Sequence, residues 1–171
     1  MKRIISIAVL ALAFVTGAAA QTKITFDNPD IKFTFKRCVV SGKIAYVDFL
    51  ILNETGAAVD GLFRRDNEEG YGYTDYFTAV YDDEGMVYKW DFGNVPRIAG
   101  AEIGGYSLGG SSLTNFKLPA GVPVRMRLTI IGLDEYATEL TLVKVAFRNM
   151  KSVHPYGIAV MDAHHLPITR D

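Results

Sequence analysis

The sequence predicts an all-β protein, an antiparallel sandwich of about seven to nine strands carrying two long loops. Three observations predict it. Apolar and polar residues alternate with period two in several windows. No long window carries an apolar stripe of helical period. Clusters of Gly, Pro, Asp and Asn punctuate the alternating runs.

Residues 1–20 stand apart from the fold. Lys2 and Arg3 are followed by an apolar run from Ile4 to Val15, and Ala18-Ala19-Ala20 precedes Gln21. A basic start, a short apolar stretch and small residues before a cut are the pattern of a cleaved export signal. The run is too short to cross a bilayer comfortably. No Cys follows the expected cut, so a lipoprotein anchor is not expected. The reading is therefore a signal peptide at 1–20 and a single domain at 21–171, periplasmic or secreted, with no integral membrane segment after cleavage. Losing the two leader cations takes the formal net charge from −1 to −3. Weak negative charge argues against nucleic acid as a partner, because phosphate binding needs a basic field. Cys38 is the single cysteine. No intramolecular disulfide is possible, and its strand-like surroundings predict a buried thiol rather than a reactive one.

The strands follow in order. Ile31–Lys36 alternates, as does Val124–Ile130, where Met126, Leu128 and Ile130 should face a core and Arg125, Arg127 and Thr129 the solvent. Ile44–Leu52 is apolar on both faces except at Asp48, which predicts a central strand. Phe77–Tyr81, Met86–Phe92, Leu113–Leu118, Glu139–Phe147 and Gly157–Met161 complete the set. Ser41-Gly42 predicts a tight hairpin. Asp82-Asp83-Glu84-Gly85 predicts a turn with Gly85 at positive φ and its acids in solvent. Pro119–Pro123 predicts another loop. Many strands joined by short turns give an immunoglobulin-like layout, without the antibody-type cysteine pair.

Three stretches carry a resemblance: "KRCVVSGKIAYVDFLILNETG", "FTAVYDDEGMVY" and "LPAGVPVRMRLTII". Together they resemble secreted bacterial sandwich domains of unknown function with an immunoglobulin- or telokin-like fold. The shared features are a central strand ending in Asn-x-[Ser/Thr]-Gly, a hairpin with Asp-x-x-Gly, and a Pro-Gly loop before an alternating strand. The resemblance implies a bacterial source and no catalytic residues. The connections 54–76 and 93–112 are longer than in that pattern.

No cofactor is expected. Gly104 to Gly110 is glycine-rich but lacks the Lys-Ser/Thr of a phosphate loop. Asp66-Asn67-Glu68-Glu69-Gly70 fails the EF-hand template, since Gly70 falls where an oxygen ligand is needed. Asp162, His164 and His165 lie close in sequence, but adjacent histidines in a strand point to opposite faces, so they read as a polar tail rather than a metal site. Ser111 and Ser112 have no local activating group. Asn53-Glu54-Thr55 has the form of a glycosylation sequon.

The leading reading is an exported, non-enzymatic module that binds a protein or glycan. The rivals are a hydrolase with a loop-borne site and a calcium-stabilised envelope structural module. Counting antiparallel crossings puts 54–76, 93–112 and 132–138 at the pole where Asn53 ends its strand, with Pro119–Pro123 at the other. Loops gathered at one pole are a usual place for binding. Arg64, Tyr71, Tyr73, Tyr76, Trp90, Arg97 and Tyr106 are then the candidate partner-binding residues, because flat aromatic rings and arginines suit partner surfaces. The plainer reading is that the rings pack over the sheet.

Overall fold

The computed structural model describes residues 21–64, 77–90, 94–107, 113–150 and 157–171, with the side chains of Arg64, Leu113 and Thr114 left aside. These residues are all-β, with no helix. The strands are β1 (Lys23–Phe26), β2 (Ile31–Ser41), β3 (Ile44–Asn53), β4 (Val59–Arg64), β5 (Ala79–Asp82) and β6 (Val87–Lys89). Then come β7 (Arg97–Ile103), β8 (Tyr106–Ser107), β9 (Leu113–Leu118), β10 (Val124–Ile131), β11 (Glu139–Arg148) and β12 (Ile158–Arg170).

Hydrogen bonds run through β6-β5-β11-β12-β2-β3-β10-β7-β8, with β1 on β12, β4 on β11 and β9 on β4. The sheet curls into a half-barrel. Isolated bridges between Trp90 and Ile98, and between Asn53 and Ala120, draw its far parts together. One cluster of buried side chains fills it, and Phe147 sits within it against Phe26, Phe33, Phe63 and Phe116.

The twelve strands among the described residues exceed the seven to nine expected, and their pairing is mixed rather than purely antiparallel. β12 runs antiparallel to β1 from Met161 to His164, then parallel to β2 from Ile168 to Arg170. Between these two pairings His165 adopts φ 56°. A bulky residue with positive φ is uncommon, and here it stands where the strand changes neighbours. The expected polar tail at 162–165 is thus part of the longest strand. Period two continues through it, with Met161 and Ala163 buried and Asp162 and His164 half-buried.

The strands placed from the alternation agree well with the structure. β3 is central, hydrogen-bonded to β2 and β10 along its length. In β10, Met126, Leu128 and Ile130 are buried, Arg125 is exposed and Arg127 and Thr129 are half-buried. Cys38 is buried and free, and burial pushes its thiol up to about 12 although Arg170 opposes the shift.

The two long loops are corrected. The connection 54–76 contains β4, and 93–112 contains β7 and β8. β4 and β5 pair with successive parts of β11 and run in one direction. β7 was hidden because Gly100 and a register shift between Thr129 and Ile130 break its alternation. An unseen crossing reverses every later direction. Gly121 N–H donates to Asn53 O at 2.7 Å, so Pro119–Pro123 lies at the Asn53 end. Gly132 N–H donates to Lys43 O at 2.9 Å, so the 132–138 turn lies at the opposite end. Both placements reverse the expected ones.

Two turns show why sequence chemistry succeeds and where it stops. Gly42 and Gly85 have φ 61° and 84°. A Cβ on Gly85 would meet nothing within 4 Å, so any penalty there is conformational. Gly85→Val is expected to cost about 1 kcal/mol or more, read as a lower midpoint in chemical denaturation. An unchanged midpoint would refute the turn argument. The acids of this turn are not all in solvent. Asp82 is 3% exposed and accepts hydrogen bonds from Glu84 N, Met86 N and Tyr88 Oη at 3.1, 2.8 and 2.6 Å. Burial, then the Asp82 hydrogen bond, pushes the Tyr88 hydroxyl up. At the other end, Asn53 is fully buried. Its Nδ2 donates to Ala57 O and Leu118 O, both at 2.9 Å. The sequon asparagine is therefore a structural clamp on the turn after β3.

Candidate functional site

Along β3, Ala45, Val47, Phe49 and Ile51 point into the core, so Ile44, Tyr46, Asp48, Leu50 and Leu52 point outward. A carboxylate in the middle of a central strand needs compensation, because it loses water to the side chains around it. The sequence supplies it on both neighbours. Register sets Arg37 of β2 and Arg127 of β10 directly opposite Asp48, and Glu102 of β7 opposite Arg127. The cross-strand row alternates in sign, an arrangement that stabilises a sheet face.

Asp48 is 5% exposed beneath three guanidinium groups. Arg127 grips it with two hydrogen bonds, Nε to Oδ1 at 2.7 Å and Nη2 to Oδ2 at 2.9 Å. Arg37 donates through Nε to Oδ2 at 2.9 Å. Arg125 brings its Nε to 3.4 Å from Oδ1. Burial works to raise the Asp48 carboxyl, but the hydrogen bonds from Arg127 and Arg37 and the positive charges outweigh it and hold it at about 2. The Arg127 guanidinium lies 4.8 Å from the centre of the Tyr46 ring, within cation–π range. Arg37 and Arg125 are 59% and 49% exposed, against 24% for Arg127. Around them stand half-buried Ile44, Tyr46, Leu50, Leu52 and Ile131. The result is an outward face of the curled sheet with fixed positive groups set among apolar ones.

No known family model matches the chain, and neither does any curated protein or solved structure.

The candidate residues read from sequence are not assembled at one pole. Arg97 opens β7 and Tyr106 follows the turn at its other end, a separation of roughly 20 Å at strand rise. Arg97 is half-buried, and its Nε is buried without a hydrogen-bond partner. Trp90 is half-buried with its ring 5.7 Å from that of Phe63, so it belongs to the rim of the core. Tyr106 is 58% exposed. It lines a shallow cleft of about 280 Å³ with Asp60, Asn115, Phe116 and Lys117. Arg64 ends β4 in the main chain, and Tyr71, Tyr73 and Tyr76 lie outside the described residues.

Among the described residues no group of three His, Cys, Asp or Glu side chains is placed to hold a metal. His165 Nδ1 lies 3.0 Å from Glu139 Oε1, and its ring centre is 6.4 Å from that of His164. No helix among the described residues is long and apolar enough to cross a membrane. Sequence reasoning missed the arginine face, although its signal was present. Asp48 was the lone exception in an apolar strand, and two arginines occupied alternate positions of another.

Proposed function

We propose that the chain is an exported, non-enzymatic β module that binds a partner protein through the outward face of β2, β3, β10 and β7. The observation that carries this reading is the array of three guanidinium groups held on buried Asp48. Arginine and tyrosine among apolar side chains are the composition that protein interfaces favour. Side chains already fixed in place lose less entropy on binding. Export is inferred from residues 1–20. The kinship with immunoglobulin- or telokin-like secreted sandwiches rests on turn chemistry at Asn53–Gly56, Asp82–Gly85 and Pro119–Pro123, and the parallel β2–β12 pairing argues against it. A glycan reading draws on Tyr106, an exposed ring beside Asn115, Asp60 and Lys117.

The test is capture from an envelope extract by the full mature chain. Leu50→Glu puts a charge at a half-buried outward position and is expected to lower retention of the specific partner by about tenfold or more. Asp60→Ala, in the Tyr106 cleft, should leave retention unchanged. Equal retention by Leu50→Glu and the unaltered chain would overturn the assignment to this face. Loss in Asp60→Ala alone would move the site to the cleft.

A further inference from the structure

The arginine array has unused donors. Arg127 spends both Nε and Nη2 on Asp48. Arg37 and Arg125 approach the same carboxylate through Nε, and among the described residues neither side chain makes another hydrogen bond or ion pair. Their Nη groups are the part of each guanidinium best suited to take a second carboxylate, and about half of each side chain is open to solvent.

Charge points the same way. Three arginines face Asp48 and, beyond Arg127, Glu102. The set keeps a positive excess of one, on a chain whose formal net charge is −1. Lys32 and Glu54, 3.9 Å apart at the edge of the face, offset one another. Asp48 is saturated by the arginines, so it cannot also neutralise an approaching base. The face is therefore complementary to an acid.

The neighbours narrow the class of ligand. Leu50 lies opposite both Thr34 and Arg125, and Tyr46 opposite both Val39 and Thr129. An acid seated at Arg37 and Arg125 would have half-buried Leu50, Leu52 and Tyr46 beside it. Bare anions gain nothing from such surroundings, whereas an extended segment with apolar residues next to its acids covers them.

We infer that Arg37 and Arg125 clasp a carboxylate of an acidic segment in the partner protein, the segment carrying apolar residues beside its acids. This rests on the docking face proposed above and names what docks there.

The probes are short peptides alternating Glu with Leu and Gln with Leu, and inorganic phosphate, titrated into the full mature chain. The readouts are calorimetry and the NMR signals of the arginine Nε–H groups. The acidic peptide should bind and shift the Arg37 and Arg125 signals, and its affinity should fall as salt is raised. Arg37→Gln and Arg125→Gln should each weaken it by about tenfold, the loss expected for a charge-assisted contact. Both variants leave the Arg127–Asp48 bridge in place, and a thermal melt checks that they fold. Equal binding of the two peptides, or undiminished binding to the double variant, would overturn the clasp. Phosphate binding as tightly as the acidic peptide would also overturn it, in favour of a simple anion site. Partner capture separates the two readings: loss with Leu50→Glu but not with the double variant keeps the face and removes the clasp, while no loss with Leu50→Glu removes the face itself.

Discussion

Phe147→Ala is expected to destabilise the protein by about 3–5 kcal/mol, the range for truncating a buried phenylalanine. Phe147 is completely buried, and its ring meets four others. Phe26, Phe63 and Phe116 approach edge-on with centres 5.9, 5.9 and 5.8 Å away, and Phe33 lies tilted at 5.7 Å. Those rings come from β1, β4, β9 and β2, so one side chain on β11 joins four other strands of the curled sheet. Deleting it removes the transfer energy of the ring and leaves a space that five strands would have to move to refill. Phe26→Ala makes the comparison, because Phe26 is only half-buried at the edge of the cluster. It should cost distinctly less, about 1–2 kcal/mol, in keeping with its smaller loss of buried area. Both values are read from urea midpoints at constant slope. Equal losses for the two variants would show that Phe147 is not the centre of the core.

This ring cluster also marks how far the fold could be read from sequence. Phe33 and Phe147 sit in runs whose alternation gives their side of the sheet directly. Phe63 and Phe26 do not, because the strands that carry them are short. β4 has Gly61 at its centre, and a Cβ there would lie 2.2 Å from the Phe116 ring. The glycine that looks like a loop signal is needed for the Phe116 ring to pack against the backbone. In β7, Gly100 lies opposite Thr129 and the register shift hides the period. Strands with glycine at their centres thus escaped the alternation test, and each miss changed the direction count that followed. Local turn chemistry was more robust, because Gly42 and Gly85 need positive φ whatever the sheet does around them.

The arginine face shows the complementary limit. Arg125 and Arg127 could be placed on outward positions from sequence, since period two fixes their side, and Asp48 stood out as the one charge in a strand apolar on both faces. What no single strand reveals is register. Arg37 comes opposite Asp48 only because the β2–β3 pairing shifts between Phe35 and Arg37. Without that bulge the residue opposite Asp48 would be Lys36, which lacks the guanidinium fork. Long-range pairing of this kind is a property of the assembled sheet.

The row built on that register has a pH signature. Asp48→Asn is expected to cost about 3 kcal/mol near neutral pH, since it removes the carboxylate from under three guanidinium groups and leaves them to repel one another. Part of this loss is titratable. In the folded chain the Asp48 carboxyl is held at about 2, below its usual 3.8. A folded pKa below the unfolded one means that the unfolded chain takes up the proton more readily. The stabilisation is therefore complete above the unfolded value and disappears as pH falls through the folded one. The depression corresponds to about 2 kcal/mol, at 1.36 kcal/mol per unit. Acid also titrates the other carboxylates, so the informative quantity is the difference between the unaltered chain and Asp48→Asn in urea denaturation. The gap should be constant from neutral pH down to about 5, begin to close near 4 and shrink by about 2 kcal/mol by pH 2. It should also narrow less with salt than an exposed ion pair would, because Asp48 is buried under its partners. A gap that stays constant down to pH 2 would mean that Asp48 is not held by the arginines when the chain is folded, and the array on which the proposed docking face depends would not exist.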